Sequence, residues 1–205
     1  MWSDDARAIV SPSRTFAEMI ARAPAGAWVA ARRPLLLGFV LASVASLAGA
    51  GVLTFRIVAP AFLYWMSVPI VEVAAVTAVT ASRRPRAGWA RLVDAHFAGH
   101  APWTLLLIAI AGSIASFPPP TGWALVMGVW LWSLVAVLAW SARIDFAFYR
   151  SAVGASPGAA WRDVIVQRAI VWIAVLAIFG FHSFEPRQLA GTIGEVVHAL
   201  AGGTR

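Results

Sequence analysis

The sequence predicts an all-α protein, a polytopic membrane helix bundle with about five transmembrane helices and short interfacial helices. Three observations support this prediction. Of the 205 residues, 60% are hydrophobic and only 12% are charged, whereas soluble domains are about 25% charged. The hydrophobic residues form long runs, and the arginines lie mostly between those runs. A soluble protein of this size would have too few charges to cover its surface.

The predicted transmembrane domain covers residues 34–184. A helix needs about 20 mainly apolar residues to cross a hydrocarbon core about 30 Å thick. The first run is uncharged and lies too far from the N-terminus for a secretory signal peptide. The last run carries Arg168 near its start, and we expect its guanidinium to reach back to the membrane surface. The five predicted spans are about 34–54, 57–82, 97–117, 122–142 and 164–184.

The orientation follows from the arginines, since cytoplasmic connections are enriched in Lys and Arg. All 16 cationic residues are Arg. The N-terminal segment, 1–33, carries five of them, and the successive connections and the tail, 185–205, carry one, four, none, four and two. This alternation predicts a cytoplasmic N-terminus and an outside C-terminus. The same distribution argues against nucleic-acid binding, for which the arginines would gather on one face.

Each cytoplasmic segment is predicted to contain a short amphipathic helix. In the first, Ser11 and Pro12 suit the N-cap and N1 positions. Such helices lie along a bilayer with the apolar side down, held partly by arginines. The alternative is that they only connect spans. The residues expected to contact the lipid surface are Phe16, Met19, Ile20, Trp89 and Trp161.

Glu72 is the one acidic residue inside a predicted span. It lies about 18 Å from Pro60 and about 13 Å from Ala81 along a straight helix, which is near the middle of the bilayer. Acids at that depth are costly and are functional candidates by default. One hypothesis is a proton- or cation-handling site. The other is a neutral structural carboxyl that forms hydrogen bonds with nearby serines, since the sequence indicates no basic partner at this depth. The candidate serines are Ser43, Ser46, Ser113 and Ser116.

Catalytic, cofactor and metal sites are not predicted. His96 and His100 are four residues apart and could share a helix face, but the sequence indicates no third ligand near them, and zinc requires three or four protein ligands. The absence of cysteine excludes disulfides and thiolate metal sites. No nucleophile motif, phosphate-binding loop or dinucleotide fingerprint is present. We therefore expect a protein that is not an enzyme and has no cofactor.

The order of features resembles a known family. A segment reading Ser-Pro-Ser-Arg-Thr-Phe-Ala-Glu-Met-Ile (11–20) precedes Arg33-Pro34 and the first span. The connection at 92–103 ends in His100-Ala101-Pro102-Trp103, and residues 154–161 lead into the last span. This arrangement resembles the bacterial branch of the Yip1-like membrane family. The resemblance implies five spans and a cytoplasmic N-terminus. The eukaryotic relatives act in vesicle trafficking and bind Rab GTPases, but their Asp-Leu-Tyr-Gly-Pro motif is absent here.

The sequence therefore predicts a protein that is not an enzyme and that acts by associating with the bilayer or with other membrane proteins. Two alternatives remain open: a small transporter or channel that uses Glu72, and an accessory subunit of a larger membrane complex. The Arg-only, Ala-rich composition suggests a bacterial inner membrane.

Overall fold

In the computed structural model, residues 2–22, 24–83, 87–116 and 123–183 are described, and they form α-helices joined by short connections. No β-strand occurs in these four ranges. A short 3₁₀ turn, Ala81–Arg83, follows the fifth helix. The helices are α1 (Trp2–Val10), α2 (Pro12–Ala21), α3 (Ala27–Ala50), α4 (Phe55–Trp65), α5 (Ser67–Thr80), α6 (Trp89–Ala98), α7 (Ala101–Ser116), α8 (Trp123–Ser151) and α9 (Pro157–Ser183).

The described helices confirm the all-α membrane bundle. Four of them are long and apolar enough to cross a membrane: Ala27–Ala50, Phe55–Thr80 (α4 with α5), Gly128–Ser151 and Pro157–Gly180. The pair α6–α7 passes the same criteria together but is bent by 45°. By length and composition, the described residues therefore contain four candidate spans, or five if this bent pair crosses the membrane.

Local sequence explains several helix ends and breaks. Pro12 occupies the first turn of α2, where the missing N–H costs nothing. Gly51 ends α3 in the left-handed conformation with φ 69°, which glycine adopts without steric cost. The break between α4 and α5 falls at Met66. Pro69 follows it and has no N–H to donate to the carbonyl of Trp65.

The boundaries differ from the predicted ones at the arginine-rich connections. The first spanning helix begins at Ala27, before Pro34. The helix α8 continues to Ser151, and α9 begins at Pro157 and runs unbroken through the predicted span. The third interfacial helix is therefore the first part of α9. The predicted connection at 118–121 and the tail at 185–205 lie outside the described residues.

The largest buried apolar cluster lies where α2, α6, the end of α8 and the start of α9 meet. It includes Phe16, Met19, Ile144, Phe148 and Val164. By contrast, large apolar side chains on the outer faces of the spanning helices are exposed, as expected where lipid replaces water. Examples are Leu63, Ile70, Trp132, Ile173 and Leu176.

The predicted lipid contact of α2 is wrong for its two central residues. Phe16 and Met19 have no exposed surface, and Ile20 is partly buried against the same cluster. The ring of Phe16 meets that of Phe148 edge-on, with centroids 5.7 Å apart. The apolar face of α2 therefore packs on α8 and not on lipid. The prediction failed because an amphipathic pattern fits a protein surface as well as a bilayer. Trp89 and Trp161 are 51% and 47% exposed, and their lipid contact stays a prediction.

Ion pairs hold α1 against the rest of the bundle. Asp4 accepts two hydrogen bonds from Arg22, the C-cap residue of α2, at 2.7 and 2.8 Å. These hold the pKa of the Asp4 carboxyl well below its usual range. Asp5 pairs with Arg33 of α3 at 2.8 Å. Burial nevertheless raises the pKa of Asp5, because it disfavours the charged carboxylate more than Arg33 stabilises it. Thus α1 and α2 form a folded cap on the bundle.

Candidate metal site

Glu72 contacts two histidines rather than serines. Its Oε2 lies 3.7 Å from Nε2 of His96 and makes a closer contact with Nε2 of His100. The expectation of serine partners without a basic group nearby was therefore wrong. Ser113 instead donates to the carbonyl of Ala109 in its own helix, and the side chain of Ser116 lies outside the described set. Helical periodicity could not show which helices face Glu72.

The histidines come from the bend between α6 and α7. His96 lies in the last turn of α6, and His100 lies in the two-residue connection that follows. Gly99 allows this connection to approach α8, because a Cβ there would lie 2.8 Å from Cγ2 of Ile144. The bend thus depends on a residue without a side chain, and it turns both imidazoles toward α5.

The hydrogen bonding of His100 suits a metal ligand. Its Nδ1 lies 3.3 Å from the carbonyl oxygen of His96. Without a metal ion, Nε2–H donates to the carboxylate of Glu72. When that proton is lost and Nδ1–H stays the donor to the carbonyl, the lone pair of Nε2 is free to bind a metal ion. Metal-binding histidines commonly donate their second ring N–H to a carbonyl or carboxylate, which fixes the orientation of the ring. His96 is fully buried, and its ring packs edge-on against those of Phe97 and Phe148.

The three side chains form a compact donor set. One ligand atom from each of Glu72, His96 and His100 can be chosen so that all three lie within 4.8 Å of one another. A tetrahedral zinc ion with bonds of about 2.0–2.1 Å holds its ligands about 3.3 Å apart, so closure requires small side-chain movements. Two histidines and one glutamate are a known zinc ligand set that leaves a fourth position open. The expectation that no third ligand lies near the histidines was therefore wrong.

A cavity of ≈ 230 Å³ opens beside the three residues. Glu72 and His100 line it, together with polar side chains of α8 and α9. The remaining walls are apolar and come from α3, α4, α5, α7, α8 and α9. The polar members from α8 and α9 are Ser141, Asp145, Gln167 and Arg168.

Arg168 is held inside the bundle rather than directed to the membrane surface. It pairs with Asp145 at 2.7 Å and donates to the hydroxyl of Ser141 at 2.8 Å. It also donates to the carbonyl of Leu138. The prediction that the guanidinium of Arg168 reaches back to the membrane surface is wrong, because an acid on the adjacent helix α8 lies within its reach.

A second cavity of ≈ 210 Å³ lies toward α1 and α3. His100 lines this cavity as well, and so do Asp5, Arg33 and Thr104. The candidate metal site therefore borders two cavities that share His100. A metal site requires an entry path, and these two cavities border the site.

The sequence carries a signal for one of these pairs. Asp145 lies six residues before the end of α8, and Arg168 lies eleven residues after the start of α9. Opposite charges on consecutive antiparallel helices can pair, and the long arginine side chain covers the difference in level. Glu72 and the histidines carry no such signal, because His100 lies in the α6–α7 connection and not on a helix that directly follows α5.

Comparison with protein-family models, with curated proteins and with solved structures finds no match. The resemblance to the Yip1-like family therefore stays a prediction.

Proposed function

We propose that this multi-pass membrane protein binds one divalent transition-metal ion, of the zinc class, through Glu72, His96 and His100. The supporting observation is the convergence of one carboxylate and two imidazole ligand atoms within 4.8 Å. Imidazole nitrogens favour zinc and related ions over Mg²⁺ or Ca²⁺, which prefer oxygen ligands. A cation at this position replaces the histidine proton as the positive partner of Glu72. The proposed role is binding, without catalysis.

The test is a titration of the purified protein, carrying no histidine tag, with Co²⁺ and Zn²⁺. We expect one metal ion per chain and the visible absorption of tetrahedral Co²⁺. Glu72→Gln removes the anionic ligand at constant size and should weaken binding by at least about tenfold, since loss of an outer-shell partner alone costs about 10–100-fold.

Glu18→Gln is the matched control for this titration. Glu18 of α2 pairs with Arg7 of α1 and with Arg14 of its own helix, and its substitution should leave metal affinity unchanged. Equal affinity in Glu72→Gln and the unsubstituted protein, or no stoichiometric binding by the latter, would contradict the proposal. A thermal unfolding curve of each variant separates lost binding from lost folding.

Transport of a cation is the second candidate function. It is favoured by the polar side chains on both sides of His100: Asp5 and Thr104 line one cavity, and Asp145 and Gln167 line the other. A carrier needs such groups along its route. Association with other membrane proteins, as the Yip1-like resemblance implies, and a role as an accessory subunit stay predictions. The bacterial inner membrane as the location stays a prediction too.

A further inference from the structure

The larger cavity has one polar end and one apolar part. Glu72, His100 and Arg168 mark the polar end. The apolar part includes Trp65, Leu107, Trp172 and Val175, which lie on helices that carry the spanning segments or the bent pair. This distribution matches a ligand with a polar head and a hydrocarbon chain, because ligand sites are mainly apolar with a few placed polar groups.

The polar end has unused hydrogen-bonding capacity. Gln167 is 4% exposed and lines the cavity. Its Oε1 is buried and has no hydrogen-bond partner in the part of the chain that the structure describes. Buried side-chain polar atoms are paired in the large majority of cases. An unpaired amide oxygen beside a cavity therefore indicates a ligand that reaches it, directly or through water.

The charges at this end favour an anionic head. Arg168 is neutralised by Asp145, which it contacts at 2.7 Å. The proposed divalent ion, combined with the single negative charge of Glu72 and two neutral histidines, leaves one net positive charge. Because a metal held by three protein ligands keeps its fourth position open, an anionic oxygen can fill that position and balance the charge.

We propose that the cavity binds a single-chain anionic lipid whose carboxylate or phosphate oxygen completes the coordination of the metal ion, with its chain along Trp65, Leu107, Trp172 and Val175. This inference rests on the proposed metal site. The coordination bond selects the head, and the apolar walls select the chain.

The experiment uses the Co²⁺-loaded protein in nanodiscs of neutral lipid, with laurate, butyrate and dodecanol as probes. Laurate should shift the visible Co²⁺ absorption in a saturable way. Its apparent affinity should exceed that of butyrate by at least about 50-fold. Laurate has eight more CH₂ groups than butyrate, and burial of only three of them provides this ratio at about fourfold each. Dodecanol, which lacks the anionic head, should leave the absorption unchanged.

Two outcomes would overturn the lipid site: no shift with laurate, or equal affinities for laurate and butyrate. In both outcomes the Co²⁺ titration that precedes lipid addition still reports on the metal site. Absence of Co²⁺ binding would instead overturn the proposed function. The two failures are therefore distinguishable.

Variants of the apolar wall give a second measurement. Val175→Trp should fill the chain-binding part and lower laurate affinity at least tenfold, while Co²⁺ and butyrate affinities stay unchanged. Ile173→Trp is the matched control, because Ile173 lies on the same helix, is 68% exposed and does not line the cavity. Equal laurate affinity in the two variants would overturn the placement of the chain.

Discussion

Three arginine side chains converge on the buried carboxylate of Asp94. Its side chain is fully buried and contacts the guanidinium groups of Arg32, Arg33 and Arg91. Its backbone carbonyl also accepts a hydrogen bond from Arg33 at 3.1 Å. Arg33 is itself 4% exposed. Asp94 thus joins the start of α3 to α6, the helix that carries His96.

We expect Asp94→Asn to destabilise the protein by about 3 kcal/mol, because it removes the negative charge from a buried pair and leaves buried guanidinium charge undercompensated. This loss lies at the low end of the roughly 3–5 kcal/mol expected when a buried ion pair is broken, because Arg33 keeps its ion pair with Asp5. Chemical or thermal unfolding in detergent measures the change.

Glu18→Gln is again the control, since its ion pairs are exposed and such pairs add little stability. A loss in Asp94→Asn no larger than in this control would contradict the structural role of Asp94. Metal binding in Asp94→Asn, measured under folding conditions, reports whether α6 still presents His96.

At the scale of the helix, α2 is a docked element. The amphipathic pattern of its apolar face is compatible with binding to a membrane and with packing on protein. Which of the two occurs depends on whether another apolar protein surface is available. The end of α8 supplies that surface through Ile144 and Phe148, and Val153 just after the helix adds to it. Gly99 of the α6–α7 bend also lies beside Phe16, so α2 supports the segment that positions the histidines.

We expect Phe16→Ala to cost about 3–5 kcal/mol of stability, the usual range for truncation of a buried phenylalanine. Phe55→Ala is the matched control. Phe55 is 86% exposed at the start of α4, and its loss should cost about 0.5 kcal/mol or less. Equal unfolding midpoints for the two variants would show that α2 is not docked in the membrane-embedded protein.

At the scale of the whole molecule, the number of membrane crossings depends on the α6–α7 pair. The arginine alternation requires this pair to cross the membrane, because the arginine-rich connections then all lie on one side. If the bent pair were a re-entrant loop, four spans would remain. The predicted cytoplasmic N-terminus and outside C-terminus would then not both hold.

One-sided reporters fused after Arg91, Thr121, Ser156 and Arg205 decide between these topologies. Five spans with a cytoplasmic N-terminus predict the readings in, out, in, out. Four spans with a re-entrant α6–α7 pair predict in, in, out, in. We expect the first pattern, and the second would contradict the arginine-based orientation.

The sequence by itself determined the class of protein and much of its helical outline. The requirement for about 20 apolar residues per crossing is local to each segment, and so are the preferences of Pro12 for a first turn and Gly51 for a helix end. These features depend on residues within a few positions of one another. They could therefore be predicted without knowledge of the packing.

Only the tertiary structure decided which polar groups meet. Glu72, His96 and His100 come together because α5 packs beside a bend that Gly99 permits, and Arg168 meets Asp145 because α9 folds back on α8. The same packing covered Phe16 with α8 instead of lipid. A buried polar or apolar side chain requires a partner, but its own sequence neighbourhood does not specify whether protein or bilayer provides one.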